Sequence, residues 1–301
     1  MQNDRNFINE LKHQYHSGGM YIKLIFVNVI IFLLIGLIGV VARLSESNEI
    51  NGIISAIFTM ETDVSLFLTK PWGLFTSMFS HFGFMHLAFN MLMLFFMGRP
   101  FEHYFGSKRL LTVYIVGGLV GGLFELLAHN IFPSLLDSQT VVLGASGSIM
   151  AIFIGLAFYK PNLPLSFFGL FELKIIYLGL IYLILDIVNL GAQDGTAHFA
   201  HLGGAIVGVL AAQQPSSPRN IISRVENIFK NIVSSFSKLG KKSSTRYRVD
   251  PKKMSDEDFN VNKKKRQEKT DQILDKISKS GYESLTKKEK EFLFNQSNKN
   301  S

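Results

Sequence analysis

The sequence predicts an all-α membrane protein: a bundle of six transmembrane helices followed by a basic, helical cytoplasmic tail. The 301 residues are 47% hydrophobic with positive mean hydropathy, more apolar than a charged water-soluble domain. Residues 24–42 (LIFVNVIIFLLIGLIGVVA) carry no charge over 19 positions, enough at about 1.5 Å per residue to cross about 30 Å of hydrocarbon. The positive excess is also segregated: residues 214–301 hold 21 Lys+Arg against 11 Asp+Glu, and residues 1–213 hold 10 against 12.

Residues 1–23 read as a polar, cytoplasmic N-terminal segment. The run that starts at Leu24 has the length of a spanning helix and no cleavable signal peptide precedes it, so it is expected to stay as an anchor. Apolar stretches at about 82–101, 110–130, 143–159, 173–190 and 197–213 complete a six-span domain over 24–213. Basic residues then orient it. Arg5, Lys12 and Lys23 precede the first span, Arg99, Lys108 and Arg109 join the second and third, and Lys160 and Lys174 join the fourth and fifth. The opposite loops are poor in basic groups, with Glu46, Glu49, Glu61 and Asp63 beside Lys70 in the first, Asp137 in the second and Asp194 in the third. Both termini are therefore expected inside, and a bacterial plasma membrane is the simplest home.

In the tail, residues 214–240 form an amphipathic stretch. Ile221, Ile222, Val225, Ile228, Phe229, Ile232, Val233 and Phe236 recur at three- and four-residue steps among Arg219, Arg224, Lys230 and Lys238, as in a helix lying on the inner membrane surface. Residues 241–301 read as basic and partly helical. A charged linker containing Lys263–Arg266 leads to a short helix at 270–279 stopped by Gly281, and Thr286 with Glu289 resembles a capping box. A solvated helical hairpin without chemistry of its own is expected, in contact with anionic lipid or a cytoplasmic protein. Nucleic acid is not expected as a partner, because a basic tail beside a membrane domain follows from the positive-inside rule.

Cysteine is absent, which excludes disulfides, thiolate metal sites and a cysteine nucleophile. Gly144-Ala145-Ser146-Gly147 stands where an outside loop enters the fourth span, which puts the Ser146 hydroxyl beside the free amides and positive dipole of a helix N-terminus. That setting suits a serine attacking a carbonyl. The same small residues also serve plain helix packing. Ala200-His201-Leu202-Gly203-Gly204 opens the sixth span, with His201, Gly204 and Gly208 on one face and small-residue ridges on both helices to bring them close. A histidine inside a span is a functional candidate, although an interfacial histidine bonded to a carbonyl is the plainer alternative.

His86 and Asn90, four apart at the start of the second span, share a face and suit stabilisation of an oxyanion formed at Ser146, or interhelical polar bonding. His198 is a weaker candidate for the base, and Ser148, two residues beyond Ser146, points away from it. His81, His86, His198 and His201 lack H-E-x-x-H or a suitably spaced carboxylate. Neither a metal nor a cofactor is expected. Glu125 and Asp186, each isolated near a span end, read as satisfied structural groups.

H-x4-H-x3-N at His81, His86 and Asn90, G-x-S-G at Ser146 and A-H-L-G-G at His201 together resemble the signature of rhomboid intramembrane serine proteases, in its usual order. The resemblance covers about residues 65–213. It implies a six-helix bundle with a water-filled active site below the outer membrane surface, Ser146 as nucleophile and His201 as base. His86, Asn90 and the Ser146 backbone N–H would be the oxyanion donors, Gly144, Gly147, Gly204 and Gly208 would support them, and no acidic third member is implied. Substrates would be transmembrane segments of other proteins in the bilayer. Gly98, Glu102 and Gly106 match a structural G-x3-E-x3-G motif of the family. Trp72-Gly73 departs from the Trp-Arg of many members and puts the anchoring of the first outside loop in question. A catalytically silent rhomboid-like binder, the alternative, would be expected to lack the serine or the histidine, and a transporter would show an internal repeat.

Overall fold

Glycine breaks, prolines and polar termini divide the apolar chain into helices. The computed structural model describes residues 7–136, 141–167, 171–192, 194–240 and 256–297; Arg5 and Asp137 lie outside them. In chain order the elements are α1 (Phe7–Ser17), α2 (Met20–Leu44), α3 (Asn48–Phe58), β1 (Met60–Glu61), α4 (Val64–Thr69), α5 (Gly73–Thr76) and α6 (Phe84–Ile131). There follow α7 (Pro133–Leu136), β2 (Val141–Val142), α8 (Ser146–Tyr159), β3 (Pro164–Phe167), β4 (Phe171–Lys174), α9 (Ile175–Val188), α10 (His198–Ala212), α11 (Ile221–Gly240), α12 (Asp256–Ser280) and α13 (Lys287–Ser297). The protein is mostly helical. Among the described residues two short antiparallel ladders pair Met60 with Val142 and Pro164 with Lys174.

Among the described residues two helices, α2 and α6, are long and apolar enough to cross a membrane. The other apolar helices are shorter than the expected spans: α8 and α9 have 14 residues and α10 has 15, against about 20 for a full crossing. The expected second and third spans are the two arms of α6. Gly106, at φ +83°, breaks the helix between them. Tyr114 beyond the break donates its hydroxyl to the carbonyl of Met78, just before α6, at 3.0 Å. In an unbroken helix residues 84 and 114 would be about 45 Å apart, so the chain has folded back on itself.

The Gly98, Glu102 and Gly106 motif makes this turn and ties α2 to it. Glu102 accepts the N–H groups of Met20 at 2.9 Å and Tyr21 at 3.2 Å, which are orphan donors at the start of α2. A side chain at Gly98 would strike Tyr21, and one at Gly19 would strike Glu102. Farther along α2, buried Asn28 donates to the Leu24 carbonyl at 2.8 Å and to the Tyr114 hydroxyl at 3.0 Å.

Every residue of α8 from Gly147 to Ala157 is buried, so α8 is the centre of the bundle. Contact without side chains makes this possible. A Cβ on Gly204 of α10 would lie 2.1 Å from the Gly147 carbonyl oxygen, and one on Gly208 2.3 Å from that of Ala151. A Cβ on Gly117 of α6 would lie 2.5 Å from the Cβ of Ala151, and one on Gly121 2.5 Å from the carbonyl oxygen of Ala200. In lipid, where apolar association has little hydrophobic drive, such close approach lets dispersion and backbone contacts hold helices together.

Asn220 fastens the end of α10 to α11, and Arg109 of α6, read above only as a basic residue that sets orientation, holds the same passage. Asn220 accepts the N–H groups of Ile222 and Ser223 at 3.0 and 3.2 Å and donates to the carbonyls of Leu210 and Gln213 at 2.8 and 2.6 Å. Buried Arg109 donates to the Pro215 carbonyl at 2.7 Å and to Glu226 at 3.2 Å. Ile222 joins the core, and α11 continues through the expected amphipathic stretch.

The chain divides into two units, Met1–Phe236 and Ser237–Ser301. In the second, the expected short helix at 270–279 is corrected. Helix α12 already begins at Asp256 and includes Lys263–Arg266, since lysine, arginine, glutamate and glutamine are good helix formers. Gly281, at φ +76°, ends it. The capping box is present: Glu289 accepts the Thr286 N–H at 2.7 Å and its hydroxyl at 2.8 Å, and Lys276 donates to Glu289 at 3.0 Å.

Three predictions follow from these contacts. Glu102→Ala, which strips the start of α2 of its acceptor, should lower the thermal midpoint of the detergent-solubilised protein, with a loss of about 1–3 kcal/mol. Gly204→Ala should cost about 1–3 kcal/mol through overpacking, whereas Gly36→Ala, whose Cβ meets nothing within 4 Å, should be neutral or stabilising in the same melt. The Thr286 and Lys276 donors hold the Glu289 carboxyl down at about 2 against an ordinary 4.5. Because the folded value is depressed, the cap contributes fully above pH 4.5 and fades as pH falls through that range towards 2. Amide exchange in α13 should accelerate over that interval in the wild type and not in Glu289→Gln.

Candidate active site

The loop that delivers Ser146 is pinned on three sides. The Gly144 N–H donates to the Ser77 carbonyl at 2.9 Å, the Ala145 N–H faces His81 Nε2 at 3.4 Å, and β1 pairs with β2 just upstream. Gly144 sits at φ +120°, and a Cβ there would lie 2.8 Å from His86 Cε1 and Nε2. Glycine is thus required both for the backbone and for the seat of the His86 ring. Ser146, half-buried, is the first residue of α8. The first amides of a helix have no intrahelical acceptor, so its hydroxyl stands at the electropositive end of the central helix.

His201 lies in the first turn of α10 and is buried. Gly147 abuts the Ala200 carbonyl and Gly204 abuts the Gly147 carbonyl. Ser146 and His201 therefore flank the tightest contact between α8 and α10. Glu125 of α6 accepts the Ala200 N–H at 3.0 Å and sets the start of α10 by capping it. This agrees with the reading of Glu125 as a satisfied structural group.

Asp186 departs from its reading. The resemblance implies no acidic partner for His201, yet Asp186 Oδ1 stands 2.8 Å from His201 Nδ1. The same oxygen lies 2.7 Å from His198 Nδ1, and Asp186 Oδ2 is buried without a partner among the described residues. Asp186 is alone in an apolar run 15 residues before His201, and only that isolation could have singled it out. His198 also reaches the exposed Asp194 through Nε2 at 3.2 Å. The N–H of Thr196, donated at 2.8 Å, holds the Asp194 carboxyl below its usual range.

These three side chains are also the group best placed to close on a metal ion among the described residues. Their O···N separations of 2.7 and 2.8 Å are those of charge-assisted hydrogen bonds. Tetrahedral ligands at about 2.0 Å from zinc would stand about 3.3 Å apart.

The exposed His86 ring lies over Gly144, 4.9 Å from the buried His81 ring, and within electrostatic reach of His201. Asn90 is buried one turn on and spends one amide N–H on the His86 carbonyl at 2.8 Å; a primary amide has a second. Ser148 is buried against Gly118, on the side of α8 facing α6. His81, first of the histidine motif, supports the serine loop. Trp72-Gly73 is explained by space: a side chain at position 73 would meet the Thr59 carbonyl at 2.4 Å. The loop is anchored instead by Trp72 Nε1 donating to the Ala56 carbonyl at 2.9 Å, and by Thr76 to that of Ile57.

Residues 68–214, which contain all three motifs, match the rhomboid domain model, and residues 254–299 match a family of unknown function, DUF6576. Similar proteins include the rhomboid protease AarA of Providencia stuartii, 33% identical over 160 residues, or 48% of this chain and 56% of the relative. RHOMBOID-like protein 12, mitochondrial, of Arabidopsis thaliana is 32% identical over 151 residues, 46% of this chain and 44% of that one. The rhomboid protease GluP of Bacillus subtilis is 30% identical over 151 residues, 49% of this chain and 27% of that one. The chain thus spans about half the length, or less, of these curated relatives. With a family domain matched across the segment that carries the serine, histidine and glycine motifs, the chain belongs to the rhomboid family.

Proposed function

We propose that this protein is an intramembrane serine endopeptidase that hydrolyses peptide bonds in or near transmembrane segments of other membrane proteins, through Ser146 and His201. The observation that carries the reading is the seating of Ser146 at the head of the central helix, across a side-chain-free contact from the turn that holds His201. His201 takes the Ser146 proton as the hydroxyl oxygen attacks the scissile carbonyl. The Ser146 N–H, His86 and the second amide proton of Asn90 meet the oxyanion. His201 then protonates the leaving amine, and water releases the acyl group from Ser146. In this reading the six apolar segments span the plasma membrane with both termini inside, and the short helices α8 and α10 place the dyad below the outer surface. A substrate helix must unwind there, and bilayer burial of its freed backbone groups favours substrates with helix-breaking residues. The two named proteases among the relatives support this reading.

Labelling of the solubilised protein by a fluorophosphonate probe, lost in Ser146→Ala, is the expected result. His201→Ala should abolish labelling and cleavage, while His198→Ala keeps most of both. A folded wild type that does not label would favour the silent binder, and equal loss in both histidine variants would remove His201 from its role.

A further inference from the structure

Asp186 is hard to account for as a structural group. A buried carboxylate in an apolar bundle costs several kcal/mol unless its oxygens are met by donors. Glu125 shows what such settlement looks like here: it caps the first turn of α10 through the Ala200 N–H and pairs with His129 at 3.4 Å. Among the described residues Asp186 takes no backbone N–H, and its Oδ2 has no partner. Its contacts go to Nδ1 of two histidines, His201 at 2.8 Å and His198 at 2.7 Å. A buried acceptor left short of donors but aimed at an imidazole fits a catalytic role better than a packing role.

We infer that Asp186 is the positioning residue for the His201 base, with His198 as its second hydrogen-bond donor, behind the Ser146–His201 pair that carries the chemistry. The inference rests on the proposed protease reading. Which proton sits on which nitrogen follows from the bond that the other nitrogen makes. With Asp186 accepting from Nδ1–H, His201 is held in the tautomer whose Nε2 lone pair is free for the Ser146 proton. When Nε2 takes that proton the ring becomes an imidazolium, its new charge faces the Asp186 carboxylate, and the Nδ1 proton stays in place. When Nε2 passes the proton to the leaving amine, the ring returns to its starting tautomer. His198 donates to Asp186 through Nδ1 and meets Asp194 through Nε2. It thus links the buried carboxylate to an exposed one and meets the same Asp186 oxygen that His201 meets.

The test is Asp186→Asn in the full chain, assayed in detergent against a peptide substrate with the thermal midpoint measured alongside. The amide keeps the shape and removes the charge that orders the tautomer. The expected result is a fall in kcat of about 10²-fold or more, with KM and the thermal midpoint near wild type. Wild-type turnover in Asp186→Asn would overturn the assignment. A second measurement serves if the variant fails to fold. Proton NMR of the wild type with ¹⁵N-labelled histidine should show a strongly downfield Nδ1 proton that is missing in His201→Ala, and its absence from the wild type would also overturn the assignment. The resonance does not depend on turnover. Its presence in a wild type that does not react with fluorophosphonate would therefore sink the protease reading, and with it the catalytic role of Asp186, while leaving the bond itself.

Discussion

The backbone-to-backbone contact between α8 and α10 is the constraint on which the rest of the structure depends. Gly204 approaches the Gly147 carbonyl so closely that a single added carbon would lie 2.1 Å away, and Gly208 meets Ala151 in the same manner a turn later. Side chains on either surface would separate the helices by several ångströms. Ser146 and His201 sit beside the first of these contacts, one on each helix. In the proposed protease mechanism the glycines would serve the chemistry as well as the packing, because proton transfer between two residues on separate helices requires hydrogen-bond reach.

Polar groups inside an apolar bundle then specify which helix lies where. The Asn28 amide, the Tyr114 hydroxyl and the Met78 carbonyl form one chain of hydrogen bonds joining α2, the second arm of α6 and the segment before its first arm. Glu102 holds the start of α2, Glu125 the start of α10, and Arg109 with Asn220 the passage from α10 to α11. Each answers orphan groups left by a helix end or a turn. Apolar surface alone would permit many rotations of these helices, and the polar bonds select one.

The glycine-serine, alanine-histidine and histidine-asparagine motifs were legible because they occur together, and because histidine and asparagine are residue types that a membrane helix uses sparingly. The capping box at Thr286 and Glu289 was legible from spacing, whereas Gly106 was marked as structural only through the family resemblance and its turn came from the structure. The length of α12 was not, because a lysine-rich run reads equally as solvated linker and as exposed helix when no apolar face marks its period. Asp186 was misread for a different reason. A lone carboxylate carries no sequence sign of its partner, and the 15 residues to His201 include the end of one helix, a loop and the start of another. Gly73 looked like a departure from a family pattern until its closeness to Thr59 supplied the cause.

By itself, the sequence determined that this is a helical membrane-type chain of the rhomboid family, with a glycine-serine motif, a histidine motif and a separate basic tail, because periodicity, charge placement and local motifs are properties of consecutive residues. Only the tertiary structure decided that the bundle centres on α8, that the His86 ring rests on Gly144, and that His201 shares the carboxylate of Asp186 with His198. Those are contacts between residues distant in the chain, and their geometry is set by which helices can approach without side chains between them.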